Sequence, residues 1–430
     1  MINFNKKFEG KKLLLLGSSG GTDDMVNYAR SQGAYVIVTD NLPPNKSPAK
    51  LIADETWPVS TADMNTLEKL SINNRINGVS TGASDFNAEK VMSLCERIGL
   101  PFYCNRRQWE TCSNKQLFKR LCQNNDIPVA REYRIDGNTK EDLTQIKYPV
   151  IVKPVDSEAG KGIRICQNED DLLKAHAQAI SFSKTSQAIV EELVAGDEFT
   201  SAYTIKDGQF TLTYMADRYV TEPTETMPLP QANILPSKYI DRYMRGINDK
   251  VIKMFQSIGL GNGFIFIQGI INRGGIYVIE ANYRLGGHLL HRFTSRINGI
   301  NYMEMLINYA LTGEMGDYDL SLDNPRINKN CCNLVMVSKG GRVGKIIGLE
   351  EIQKKKNLIA VDKIYDEGDY IERSGTLRQT LMKFFFIEDT IQELKDGIRE
   401  IQGTIKVLDD KGNDMLLDPF DVKRIDMTLD

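Results

Sequence analysis

Gly263–Arg292 reads GFIFIQGIINRGGIYVIEANYRLGGHLLHR. Its apolar runs and turn residues predict two short β-strands, Phe264–Ile271 and Ile276–Ala281, separated by Asn272, Arg273, Gly274 and Gly275. Gly286–Gly287 then opens what reads as a helix. Gln268 stands inside the first apolar run, and Glu280 and Asn282 close the second. Oxygen-bearing side chains at the ends of two paired strands form the donor set of a hard cation such as Mg²⁺ or Mn²⁺. Arg284 follows on the loop where an anion would approach that cation. Metal, arginine and a glycine-rich helix start together describe a phosphate-handling site. Taken alone, the stretch reads equally well as a surface hairpin, because Glu-X-Asn is a common pattern.

Two upstream segments shift that balance. Tyr148–Gly162, YPVIVKPVDSEAGKG, is a β-branched strand ending in Lys153, followed by a small-residue loop with Gly160 and Gly162. A lysine at a strand end can reach a phosphate while the loop's N–H groups close over it. The spacing does not match GxxxxGK[ST], which disfavours a P-loop enzyme. Gln187–Ser201, QAIVEELVAGDEFTS, is a second strand running into a loop. The backbone at Glu192 and Val194 suits an adenine edge, and Glu198 suits ribose hydroxyls; a solvated turn is the alternative.

The order Lys115, Lys153 with its glycine loop, Glu191–Glu198, Gln268, Glu280, Asn282, Arg284 is specific where its pieces are not. In that order the sequence resembles the ATP-grasp superfamily, over nearly the whole chain. Within it, the resemblance is to carboxylate–amine ligases related to carbamoyl-phosphate synthase and the L-amino-acid ligases. It implies that Lys115 and Lys153 serve the ATP phosphates and adenine side. Glu191 joins the nucleotide-binding set, Glu192 and Val194 form the hinge that holds adenine, and Glu198 binds ribose. Gln268, Glu280 and Asn282 correspond to the metal ligands, and Arg284 to the arginine facing the reacting phosphoryl group. Lys161 reads either as a γ-phosphate contact or as a solvent-facing residue. Most members carry Glu where this chain has Gln268, although carbamoyl-phosphate synthase also has Gln. The substitution removes one negative charge and leaves open how many metals are held tightly.

The 430 residues suffice for two to four domains, and the net charge of −3 comes from interspersed acids and bases. Nothing suggests a nucleic-acid groove, and Lys354–Lys356 reads as a solvated helix face. Seven cysteines without CxxC spacing indicate reduced thiols, with no disulfide framework or zinc site. The N-terminus shows no signal-peptide pattern and Leu13–Leu16 is too short to span a membrane, so the expected location is cytoplasmic.

Along the chain, strands at Lys12–Leu16, Tyr35–Thr39, Gly78–Thr81 and Pro101–Tyr103 alternate with helices such as Asn87–Ile98. This predicts a parallel, Rossmann-like sheet. GSSGG at Gly17–Gly21 is not GxGxxG and reads as structural or as part of an acceptor pocket. Ser113 is the expected N-cap of a helix over Asn114–Asn124. The fold class is therefore α/β and α+β: an ATP-grasp fold with a Rossmann-like pre-ATP-grasp domain and a small C-terminal α+β domain. The expected boundaries are 1–112, 113–325 (lid about 125–185) and 326–430, with the polar connector Asp317–Lys329 before the last.

The resemblance implies that a carboxylate attacks the γ-phosphate of ATP, giving ADP and an acyl phosphate. An amine then displaces phosphate to form an amide or peptide bond. Arg284 and Lys153 are the expected catalytic groups. Gly286, Gly287 and Arg218 are expected substrate contacts, Arg218 sitting in a covering loop over Met215–Tyr239 with Asp217, Glu222 and Glu225. His288 reads as packing against the metal strands, or as a substrate contact. Partners are small-molecule carboxylates and amines, with no nucleic acid or membrane; a homodimer is compatible. Competing readings are a carboxyphosphate-forming enzyme acting on bicarbonate, and an ATP-binding regulator without catalysis.

Overall fold

The protein is described by a computed structural model over residues 6–135, 143–157, 160–222 and 228–427. Glu158, Ala159 and Glu225 therefore lie outside the described residues. The first layer is a parallel sheet of β1 (Lys12–Leu16), β2 (Tyr35–Thr39), β3 (Glu55–Trp57) and β4 (Gly78–Ser80), in the order β3-β2-β1-β4. Leu13–Leu16 of β1 are fully buried, as a strand covered on both faces requires. Strand order changes direction at β1, so a crevice opens beyond the carboxyl ends of β1 and β4. Gly17–Gly21 and Gly82–Asp85 line that crevice: a Cβ on Gly82 would fall 2.6 Å from Gly20 O. Pro101–Tyr103 is not a strand; the segment is irregular, and Tyr103 Oη donates to Tyr283 O at 2.9 Å. Ser113 ends the helix Arg106–Ser113, and Asn114 caps the next, Lys115–Asn124, accepting from Gln116 and Leu117 N–H. The amide side chain at the true boundary takes the role expected of Ser113.

A small antiparallel sheet follows, with β5 (Glu132–Tyr133), β6 (Val150–Pro154), β7 (Arg164–Cys166) and β8 (Ala188–Glu192) in the order β5-β8-β6-β7. Helix Glu169–Phe182 covers one face, packing Leu172, Ala175 and Ala179 against Val150, Val152 and Val190. Asn168 caps that helix and three acids occupy its first turn, favourable to the helix dipole.

The large antiparallel sheet contains β9 (Asp197–Lys206), β10 (Gln209–Val220), β11 (Pro230–Leu235), β12 (Gly263–Asn272) and β13 (Gly275–Asn282). The last hundred residues add β14 (Asn330–Val337), β15 (Gly341–Ile347), β16 (Leu358–Lys363), β17 (Tyr370–Ile371), β18 (Thr380–Glu388) and β19 (Lys406–Asp409). The order β13-β12-β9-β10-β11-β14-β18-β16 carries one sheet across residues 325 and 326, while β17-β15-β19 form a separate sheet. The described residues of Met215–Tyr239 are consequently not one loop: Arg218 lies on β10, and β11 returns antiparallel beside it. Alternation of Asp217 and Arg218 with apolar neighbours suits a strand whose two faces meet different polar partners. Glu198 likewise sits on β9 and not in a turn.

All seven cysteines are free and buried, and no described helix is long and apolar enough to cross a membrane.

Candidate active site

β12 and β13 explain how the central acid reaches a cleft. Gln268 pairs with Glu280 and Phe266 with Asn282, while Gly269 pairs with Val278, so Ile279 is an extra residue on β13. Before this bulge, Ile276 and Val278 join the core; after it, Ala281 does. One inserted residue thus exchanges the faces of the strand and turns Glu280 and Asn282 outward, beside Gln268. Gly269 permits it: a Cβ there would lie 2.4 Å from Tyr277 O and 2.5 Å from the Phe199 ring.

The outward residues enter a cleft of about 840 Å³ between the first layer, the small sheet and the large sheet. Its walls include Lys115, Arg218, Gln268, Glu280, Asn282, Arg284 and Gly287. Gly286 is buried beneath it. The glycine pair does not begin a helix: it lies in a turn, and the helix His291–Ile297 starts four residues later. Leu289 occupies a positive φ of 52°, which interrupts any earlier helical start.

Lys153 is buried at the end of β6, where Nζ donates to Glu191 Oε2 at 2.8 Å. Lys119, which sequence inspection passed over, pairs with the other Glu191 oxygen and stands 3.6 Å from Glu132. Burial pushes the Glu191 carboxyl up, but Lys153 and Lys119 outweigh it and hold the group below its ordinary value. Lys119 follows Lys115 by one helical turn, and that spacing was the available signal. Lys115 Nζ donates to Ser157 O at 2.9 Å, tying the helix to the glycine loop. Lys161 lies over the Phe182 ring at 4.9 Å.

Glu192 is the last residue of β8; its carboxylate accepts from Arg131 N–H at 2.8 Å and its N–H donates to Arg131 O. Leu193 N–H donates to Pro149 O. Val194 follows directly, half-buried, as the strand leaves the sheet. Glu198 pairs with Arg218 across β9 and β10.

Arg284 makes a two-pronged ion pair with Asp85, the first residue of the helix Asp85–Ile98, and Nη1 donates to Leu285 O at 2.8 Å. Asp85 was not foreseen; its signal is a Ser-Asp helix start immediately after β4, at the crevice of the first sheet. His288 is half-buried in the cleft wall beside Arg218, Lys383 and Arg284. Burial first, and those cations next, depress its pKa to about 3, so the ring is neutral. Its Nε2 is 3.5 Å from Gln268 Nε2. Lys383, from β18, donates to Gly287 O at 2.8 Å and brings the C-terminal segment into the cleft.

One carboxylate and two amide side chains on one face of paired strands supply hard oxygen donors, and Glu280 has no competing ion pair among the described residues. The set fits Mg²⁺ or Mn²⁺.

Residues 114–316 match the family model described as carbamoyl-phosphate synthase L chain, ATP binding domain. The chain is 27% identical over 225 residues to a formate-dependent phosphoribosylglycinamide formyltransferase of Sulfurisphaera tokodaii, a match covering 51% of this chain and 54% of that enzyme. It thus spans about half that relative's length. A phosphoribosylamine–glycine ligase of Clostridium acetobutylicum is 23% identical over 76% of this chain and 81% of its own. The structure of an L-amino acid ligase from Bacillus licheniformis superposes with a TM-score of 0.76 at 19% identity, covering 94% of this chain and 99% of that one. At that identity the likeness shows a shared fold, and the fold is ATP-grasp.

Proposed function

We propose that this ATP-grasp chain, whose residues 114–316 carry a carbamoyl-phosphate synthase-type ATP-binding domain, is an ATP-dependent carboxylate–amine ligase. The observation that carries the reading is one cleft shared by Lys115, the Gln268–Glu280–Asn282 face and Arg284. Lys153, with Lys119 and Glu191 behind it, would receive the nucleotide's phosphates. Glu192 and Val194 would hold adenine at the turn out of β8, and Glu198 the ribose. Gln268, Glu280 and Asn282 would hold Mg²⁺, whose chemistry is to neutralise charge on the β- and γ-phosphate oxygens. Arg284, oriented by Asp85, would face the transferring phosphoryl group with its planar fork. A carboxylate enters already ionised and needs no base to attack the γ-phosphate. The Gly287 side of the cleft, roofed by Lys383, would receive the acyl phosphate before an amine displaces phosphate.

An ADP-release screen over organic acids crossed with amines tests this. Release that requires both an organic acid and an amine is expected. Release driven by bicarbonate alone contradicts it, as does ATP binding without turnover under every pair.

A further inference from the structure

Arg218, Arg284 and Lys383 surround His288 on the Gly287 side of the cleft. Glu198 neutralises Arg218, and Asp85 neutralises Arg284. Lys383 makes no such ion pair among the described residues; its Nζ donates to Gly287 O at 2.8 Å. Register puts Asp362 of β16 directly opposite Lys383, on the same face of the sheet. That carboxylate is taken by Arg292 at 2.7 Å, and Arg292 also holds Asp24 at 2.8 Å.

The charged groups around Lys383 come from several elements. Asp362 stands on β16, Arg292 on the helix His291–Ile297, Arg218 on β10, and Arg284 and His288 on the turn after β13. Asp23 and Asp24, from the helix Thr22–Ser31, face Arg292 from beyond, and His291 pairs with Asp24. Burial in the cleft wall lowers the pKa of Lys383, Asp362 raises it and Arg292 lowers it again, for a net downward shift. A neutral amine can keep an N–H on Gly287 O and still turn its lone pair into the cleft.

The joining step needs such a group. An amine arrives at neutral pH as an ammonium ion, which has no lone pair for attack. On this side Asp85 is forked by Arg284, His288 is hemmed in by three cations, and Glu280 would face the metal. We infer that Lys383 is the catalytic base of the joining step and takes the proton of the incoming ammonium. The inference rests on the ligase reading and adds a residue to its second half. The proton passes to Lys383 Nζ, the freed electron pair attacks the acyl carbon, and the N–C bond forms. The C–O bond to phosphate breaks, and phosphate leaves with that bond's electron pair and a second proton from the nitrogen. Lys383 returns its proton to water once the product departs.

Partition of the acyl phosphate between two nucleophiles tests this on the full chain. Reactions hold ATP, Mg²⁺, methylamine and hydroxylamine together, and one acid at a time from formate, acetate, succinate, aspartate and leucine. Methylamine is an ammonium ion at neutral pH and carries no anion for a cation to bind, whereas hydroxylamine is largely free base. The ratio of amide to hydroxamate reads the joining step, whichever step limits turnover. Lys383→Met and Lys383→Arg should each lower that ratio about 10²-fold at neutral pH. As pH rises, the variants' ratio should climb with the free-base fraction of methylamine, while the unmodified chain's levels off earlier. Arginine keeps a cation, so a ratio near the unmodified chain's in Lys383→Arg would overturn the inference and leave the ligase reading standing. Competitive acetylation of the unmodified chain, read at Lys383 by mass spectrometry across pH, needs neither variant to fold. Lys383 should lose its proton at lower pH than the exposed lysines; titration alongside them would overturn the inference. No hydroxamate with any acid would contradict the ligase reading, and the role of Lys383 would fall with it.

Discussion

The two halves of the cleft handle their buried polar groups in opposite ways. On the nucleotide side, Lys153, Lys119 and Glu191 satisfy one another within the protein. Toward β10, β11 and β14, Arg218 Nε, Asn233 Oδ1 and Asn333 Oδ1 have no partner among the described residues. The first half is a preassembled electrostatic unit that the proposed nucleotide would join; the second leaves polar atoms that a bound substrate would complete. This contrast teaches that stability should follow charge on the nucleotide side, while specificity should follow hydrogen-bond matching toward β10, β11 and β14.

The largest effects should fall where the halves meet. Glu280→Gln leaves the metal face without a carboxylate, and turnover should drop roughly 10²-fold or more at ordinary Mg²⁺. Steady-state rates across a Mg²⁺ titration check this, and near-parental turnover would remove Glu280 from the metal site. In the same titration Gln268→Glu should lower the half-saturating Mg²⁺, since it restores a negative oxygen donor. Arg284→Lys keeps the charge but loses the fork held by Asp85, so rate should fall about 10²-fold while ATP affinity changes little.

Next comes the nucleotide side itself. Glu191→Gln strands buried Lys153 and leaves Lys119 only Glu132 at 3.6 Å, and should cost about 3–5 kcal/mol in denaturant unfolding, with ATP analogue restoring part of it. An unchanged midpoint would mean the three groups do not act as a unit. Gly269→Ala should cost about 1–3 kcal/mol and depress activity further than its stability loss explains, because the bulge beside it turns Glu280 outward.

How much of this was legible follows from what sequence periodicity can carry. The paired strands around Gln268 and Glu280 were readable because their apolar runs and glycine turn are local signals. The bulge at Ile279 was not: strict alternation puts Glu280 on the same face as Ile276 and Val278, and only pairing with β12 reveals the exchange. Arg218 was misplaced into a loop because flanking prolines mark turns, whereas Pro230 opens β11 without interrupting it. Asp85, Lys383, Asn233 and Asn333 reach the cleft through contacts remote in the chain, and no local pattern marks them. Lys119 was within reach, one helical turn from Lys115.

A pH-dependent effect lies on the opposite face of β10. Asp217 is buried and accepts from Ser237 Oγ at 2.5 Å and Lys238 N–H at 3.1 Å. Burial outweighs those bonds and raises its pKa from 3.8 to about 6. A carboxyl whose folded pKa is raised favours the folded state fully below its unfolded value. That advantage fades as pH rises through about 6. Asp217→Asn should therefore remove a downward slope in stability between pH 4 and 7 worth about 3 kcal/mol at most. Parallel melting curves for both proteins across that range would contradict the shift.

The central claim is that an organic carboxylate is phosphorylated on its way to an amide. With the acid labelled by ¹⁸O in its carboxylate, turnover with ATP and the amine should release phosphate carrying one ¹⁸O atom, because the attacking oxygen becomes the bridge that is broken in the second step. Unlabelled phosphate accompanying amide formation, or labelled phosphate appearing only from bicarbonate, would contradict it.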